Sequence, residues 1–280
     1  MKISPIINAE DLAKLNRENL VIVNAGGGDA AYQNYLAEHL EGAFYVDLNN
    51  DLAEVPENAK NGGRHPLPDL EKFAELLQSL GIDKNSQVIV YDDQNAANAA
   101  ARFWWMLRSA GIEKVQILNG GFQKAKEIGL SIHSEIVEPK SVEKLDLKNW
   151  ELPKVDINFI EKISTNPDFL VIDVRDKDRY DGKLEPIDEV AGHIPGAINI
   201  PFKDNLNKDG TFKNPEILRK KYTRFLKNIP SENISIHCGS GVTACHTLLA
   251  LHYAGFEIPN LYVGSWSEWY RNAKPVAKNN

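Results

Sequence analysis

Short continuous apolar runs alternate along this chain with longer segments in which apolar residues recur at helical spacing. Leu20-Val21-Ile22-Val23, Val88-Ile89-Val90, Leu170-Val171-Ile172 and Ile234-Ser235-Ile236 are runs of the first kind and read as buried strands. Residues 70–80, 99–110 and 242–253 are segments of the second kind and read as helices. Strands that are apolar on both faces and alternate with helices predict α/β domains, each a mostly parallel sheet flanked by helices.

The pattern occurs twice, in the same order. Leu20-Val21-Ile22-Val23 is answered by Leu170-Val171-Ile172, and Ala37-Glu38-His39-Leu40-Glu41-Gly42-Ala43 by Ala191-Gly192-His193-Ile194-Pro195-Gly196-Ala197. Val88-Ile89-Val90-Tyr91-Asp92 matches Ile234-Ser235-Ile236-His237-Cys238, and Gly120-Gly121 matches Gly264-Ser265. Four matches in register predict a duplication into two tandem domains. We place them at residues 1–133 and 155–280. Residues 134–154, with Pro139, Pro153 and many charges, form the linker.

Composition narrows the function classes. The chain has 280 residues, 42% hydrophobic and 25% charged, enough for real cores. Its 32 basic and 39 acidic residues leave a net charge of −7, which argues against a nucleic-acid partner. No apolar run is long enough to span a bilayer, and the N-terminus lacks the apolar core of a signal peptide. Two cysteines, Cys238 and Cys245, are too few for a disulfide framework, so a reduced, cytoplasmic protein is expected.

The richest chemistry lies in Ile236-His237-Cys238-Gly239-Ser240-Gly241-Val242-Thr243, where a strand ends, a glycine-spaced loop follows and a helix begins near Val242. Ligands bind at the carboxyl ends of such strands. Gly239 and Gly241 can adopt positive φ, letting successive N–H groups point inward, and the helix N-terminus adds positive charge. A cysteine in that ring of donors should have its thiolate stabilised. Cys245, inside the following helix, reads as core. His237 should face away from Cys238, and the spacing of the histidines and cysteines is not that of a metal site. Gly26-Gly27-Gly28 lacks the residues that complete a phosphate loop and reads as a turn.

These residues resemble the rhodanese superfamily of sulfurtransferases, and the resemblance spans nearly the whole chain, duplication included. It implies two tandem rhodanese-like domains, the second carrying the catalytic cysteine; Asp92 stands where the first would need its own. The loop from Cys238 to Thr243 has the family's usual length, and Cys-Gly-Ser-Gly-Val-Thr resembles the version in 3-mercaptopyruvate sulfurtransferases. Thiosulfate-specific relatives tend to place basic residues after the cysteine. Gly192-His193-Ile194-Pro195-Gly196-Ala197 and Gly264-Ser265-Trp266-Ser267-Glu268-Trp269 match as well. Related loops that hydrolyse phosphate esters are longer and end in an arginine, which this one lacks.

The resemblance also implies roles for residues around the loop. Ser240 is expected to donate to a substrate carbonyl or relay a proton. Arg179 stands at the family's substrate-binding arginine, suited to a carboxylate or a thiosulfate oxygen pair. Mercaptopyruvate-specific relatives usually carry a second arginine further on. Here the shorter Lys183-Leu184-Glu185-Pro186-Ile187-Asp188 has none, and Lys183 could replace it only as a point charge. In Gly62-Gly63-Arg64-His65-Pro66, His65 could assist proton movement at Ser240 once this loop of the first domain reaches the interdomain cleft, and Arg64 could add positive potential. A serine-histidine-aspartate relay would need an acid at Asn49, so a full triad is not expected. His193 and His39 occupy matching places and read as structural, since one copy lacks the cysteine. Gly239, Gly241, Val242 and Thr243 complete the expected cradle.

The expected reaction is a ping-pong transfer through a Cys238 persulfide, with no cofactor and no metal. The donor is a small molecule, 3-mercaptopyruvate or, on the rival reading, thiosulfate. The acceptor is a thiol, reduced thioredoxin or cyanide. A third reading is a sulfur-carrier or interaction module with little turnover of its own.

Overall fold

In the computed structural model, residues 3–279 are described. They form two compact units. The first comprises the described residues through Glu54, Pro68–Glu151 and Lys208–Phe212; the second comprises Val55–Leu67, Leu152–Asn207 and the described residues from Lys213 on.

The first unit carries strands β1 (Ile6–Ile7), β2 (Leu20–Gly26), β3 (His39–Leu40), β4 (Ala43–Asp47), β5 (Gln87–Tyr91), β6 (Val115–Leu118) and β7 (Ile132–His133), with helices α1 (Ala9–Leu12), α2 (Asp29–Ala37), α3 (Leu70–Ser79), α4 (Ala99–Ser109) and α5 (Gly121–Glu127). The second carries β8 (Lys154–Val155), β9 (Leu170–Asp173), β10 (Ile198–Asn199), β11 (Ile234–His237) and β12 (Asn260–Tyr262), with α6 (Ile157–Ile163), α7 (Lys177–Asp181), α8 (Pro215–Leu226), α9 (Thr243–Tyr253) and α10 (Ser265–Arg271).

The duplication holds at the level of topology. The main sheets run β1-β6-β5-β2-β4 and β8-β12-β11-β9-β10, every pair parallel. Register carries the match to single residues: Asn24 pairs with Tyr91 as Asp173 pairs with His237. The matching histidines do the same structural work in each unit. His39 stacks on Tyr35 and bonds its carbonyl at 2.6 Å, while the Tyr35 hydroxyl donates to the Ala43 carbonyl. His193, Tyr180 and Ala197 repeat every contact.

The strands are apolar on both faces because helices cover both. Phe103, Trp104 and Trp105 on α4 are fully buried, and Trp105 stacks on Trp150. The second core gathers Ile160, Val171, Ile194, Tyr262, Trp266 and Trp269. Two segments differ from the sequence reading. Residues 134–151 belong to the first unit, with Gln78 donating to the Val142 carbonyl and Glu151 N–H to that of Ser109. These hydrogen bonds tie down an irregular segment that has no core of its own. The 55–67 loop, expected in the first domain, packs with the second unit.

Asp92 shows how the first copy closes its own loop. It is buried, and its carboxylate accepts from the N–H groups of Gln94, Ala96 and Ala100 at 2.8–3.3 Å. An internal anion thus fills the donor ring that follows the central strand. Burial pushes this carboxyl from 3.8 up to about 6 despite those hydrogen bonds. A group raised on folding loses stabilisation as pH climbs through its folded value, so Asp92 penalises the folded state above about pH 6. Asp92→Asn is therefore expected to gain stability relative to the parent between pH 4 and 7, by up to about 3 kcal/mol. Paired thermal melts across that range test it, and a pH-independent difference would refute it.

Candidate active site

Cys238 follows the last residue of β11, is 3% exposed, and is a free thiol. Its loop is fastened to the start of α10. Cys238 N–H donates to the Ser265 hydroxyl, the Cys238 carbonyl accepts from Trp266 N–H, and the Gly239 carbonyl accepts from Ser267 N–H. Gly241 has φ +73°, and a Cβ there would run into the Val263 carbonyl, so only glycine fits. Gly239, by contrast, does not use positive φ. Its neighbours are charged: a Cβ there would lie 3.1 Å from Nη2 of Arg64 and 3.4 Å from Nη2 of Arg179. Two guanidiniums therefore face the cysteine loop at its first glycine. Val242 precedes α9 and Thr243 opens it, so the first-turn N–H groups of this helix, which have no acceptor within it, lie on the loop side. Cys245 is buried within α9, its Sγ 3.4 Å from the Gly241 carbonyl, as core.

The 55–67 loop brings two more groups. Nδ1 of His65 shares a 2.8 Å hydrogen bond with Oγ of Ser240. Arg64 N–H donates to the Ser267 hydroxyl, and Gly62 N–H to the Glu268 carboxylate. Asn49, the amide where a relay acid would stand, lies in the first unit after β4.

The arginines are held by carboxylates that sequence reasoning did not single out. Asp188, whose side chain is fully buried, pairs with Arg64, with Arg179 at 3.4 Å and with Arg271 at 3.4 Å. Glu185 accepts from Nε and Nη2 of Arg179 at 2.7–3.1 Å and from Arg175 at 3.3 Å. Arg175 in turn grips Asp173 through Nε and Nη2. Burial alone would lower the Arg175 pKa, but Asp173 and Glu185, with Cys238 adding a smaller effect, raise it. Arg64, Arg175, Arg179 and Arg271 face Asp173, Glu185 and Asp188, so four cations against three anions leave one net positive charge in this network. Lys183 is not part of it: it pairs with Asp181 at 3.0 Å and stays 56% exposed. The second guanidinium at the loop is that of Arg64.

His237 is buried beside Asp173, and burial lowers its pKa despite that carboxylate. Among the described residues no cluster of three His, Cys, Asp or Glu side chains could hold a metal. Nor is any helix among them long and apolar enough to cross a membrane.

The model of the rhodanese-like domain matches twice, over residues 8–127 and 158–272. The chain belongs to the rhodanese-like family. Within it, this chain is a sulfurtransferase. A Pseudomonas aeruginosa protein described as a probable 3-mercaptopyruvate sulfurtransferase is 38% identical, over 99% of both chains. The mouse thiosulfate sulfurtransferase is 34% identical over 90% of this chain and 84% of its own. Among solved structures, 3-mercaptopyruvate sulfurtransferase from Leishmania major superposes with a TM-score of 0.83 at 27% identity, over 95% of this chain and 74% of that one. This rhodanese-like sulfurtransferase thus has its one loop cysteine in the second copy and an aspartate in the first.

Proposed function

We propose that this enzyme takes sulfur from 3-mercaptopyruvate onto Cys238 and passes it to a thiol acceptor. The observation that carries the reading is the pair of guanidiniums, Arg64 and Arg179, against Gly239 of the cysteine loop. They suit the carboxylate of an α-keto acid whose sulfur lies over Cys238. The Cys238 thiolate attacks that sulfur, the C–S bond breaks, and the electron pair leaves on the enolate of pyruvate. A proton from the Ser240–His65 pair reaches the enolate carbon or oxygen. The outer sulfur stays on Cys238 as a persulfide anion, held by the N–H groups of Gly239, Gly241, Val242 and Thr243 and by the net positive charge behind them. An acceptor thiolate, a small thiol, reduced thioredoxin or cyanide then attacks the outer sulfur and releases the Cys238 thiolate. No cofactor enters this scheme.

The similarity to thiosulfate sulfurtransferases supports a second reading, with thiosulfate as donor and sulfite as product. The two differ in what they ask of the loop. An α-keto acid needs a proton source and one carboxylate seat, and the Ser240–His65 hydrogen bond and the arginine pair support those two roles. The test is kcat/KM for both donors on one preparation with a thiol acceptor. We expect 3-mercaptopyruvate to be preferred by at least about tenfold, and a preference for thiosulfate would overturn the donor assignment. A cytoplasmic location completes the reading.

A further inference from the structure

The duplication lets each residue of the first unit be read against its counterpart. In the second unit the Arg175 guanidinium fills a fitted seat. Asp173 accepts from its Nε and Nη2, the Gly192 carbonyl accepts from Nη2 at 2.7 Å, and the Trp266 ring lies 4.7 Å below its centre. Strand register and the matched histidines give the counterparts: Asn24 for Asp173, Gly26 for Arg175, Glu38 for Gly192 and Phe122 for Trp266. The cation has no counterpart. All four of these residues instead line one cavity of about 320 Å³, together with Asp93 and Tyr35.

The buried acid has become an amide, which carries no charge to be neutralised where the arginine is missing. The aromatic floor remains, and the rim has gained the carboxylates of Glu38 and Asp93. Gly26 cannot restore the lost side chain, because a Cβ there would fall 2.7 Å from the Tyr45 hydroxyl and 2.8 Å from Cβ of Ala31. A guanidinium for this seat has to come from another molecule. The chain's own cation shows the charge the seat favours: Lys126 on α5 pairs with Glu38 at 2.5 Å, its Nζ 5.3 Å from the Phe122 ring centroid. That ammonium is a point charge on a 35% exposed side chain at the rim, and does not supply a planar fork.

We propose that the first unit binds an alkylguanidinium in this cavity, as a free solute or as an arginine side chain of a partner protein. The plane lies on Phe122, the Asn24 amide oxygen accepts at the floor, and Glu38 and Asp93 accept at the rim. The site is separate from the sulfur-transfer loop and does not depend on the donor assignment.

The test titrates the full chain with ethylguanidinium, with ethylammonium, and with acetyl-Gly-Arg-Gly-amide, followed by calorimetry or NMR. Saturable ethylguanidinium binding is expected, roughly tenfold tighter than ethylammonium. Glu38→Gln combined with Asp93→Asn should weaken it about tenfold, while Lys126→Met, an exposed change that spares the fold, should tighten it several-fold. Peptide binding tighter than ethylguanidinium assigns the seat to a protein side chain; equal or weaker peptide binding assigns it to a small solute. Absence of saturable binding overturns the proposal, as does equal affinity for the ammonium or Lys126→Met binding no tighter than the parent. Sulfurtransferase turnover of the variants serves as the check on folding.

Discussion

Serine in place of Cys238 is expected to abolish turnover with every sulfur donor, by more than about 10³-fold. The substitution is nearly isosteric, and the backbone at 238 is held by Ser265 and Trp266 whatever the side chain, so the fold should persist. What disappears is the atom that forms the S–S bond: a serine hydroxyl is not ionised at neutral pH and forms no stable sulfur adduct. Steady-state rates with 3-mercaptopyruvate and thiosulfate measure the loss. Intact mass after donor treatment without acceptor gives a second reading, since the parent should gain one sulfur atom and Cys238→Ser none. Cys245→Ser should still gain it, because that thiol is fully buried in α9 and bonded toward the Gly241 carbonyl. Turnover retained by a homogeneous Cys238→Ser preparation would remove the persulfide mechanism.

Asp188→Asn is expected to destabilise the second unit by about 2–4 kcal/mol, because it breaks a buried ion pair while leaving its partners in place. The figure lies somewhat below the roughly 3–5 kcal/mol usual for such a loss because Arg64 and Arg271 are each 23% exposed and can recruit water. The charge count moves from four cations against three anions to four against two, so the variant should seek an external anion. Added sulfate or pyruvate should therefore raise its Tm more than it raises the parent's. Losing the carboxylate that holds Arg64 and Arg179 side by side should also raise KM for an anionic donor about tenfold, since the pair is no longer positioned before substrate arrives. Thermal melts with and without anion, alongside KM, test this. An unchanged Tm would mean that Asp188 does not hold the arginines, and an unchanged KM would mean that they are not the donor's seat.

The chemistry of the site divides by how far apart its parts lie in the chain. The strand-loop-helix at Cys238 was readable because each signal is local: an apolar run, two glycines, a helical period. Even there only Gly241 uses the conformational freedom that suggested both glycines. At Gly239 the neighbours are Arg64 and Arg179, which no local pattern displays. Lys183 looked like a substitute for a missing arginine because it is adjacent in sequence, yet it is drawn outward by Asp181. Asp188 and Glu185 lie in a short polar segment that reads as a solvated loop, and nothing in their spacing marks them as the counter-ions of four arginines.

What the sequence determined by itself is the α/β class, the tandem duplication, the family and the position of the one loop cysteine. The class, the duplication and the place of the cysteine are written in short-range periodicity or in repetition, which local backbone physics converts directly into strands, turns and helices; the family is legible in the motifs that resemble it. What only the tertiary structure decided is which charges meet. Arg64 reaches Asp188 across 124 residues, and His65 reaches Ser240 across 175, once the 55–67 loop packs with the second unit rather than the first. Ion pairs depend on distance and burial, and neither is defined until the chain has folded.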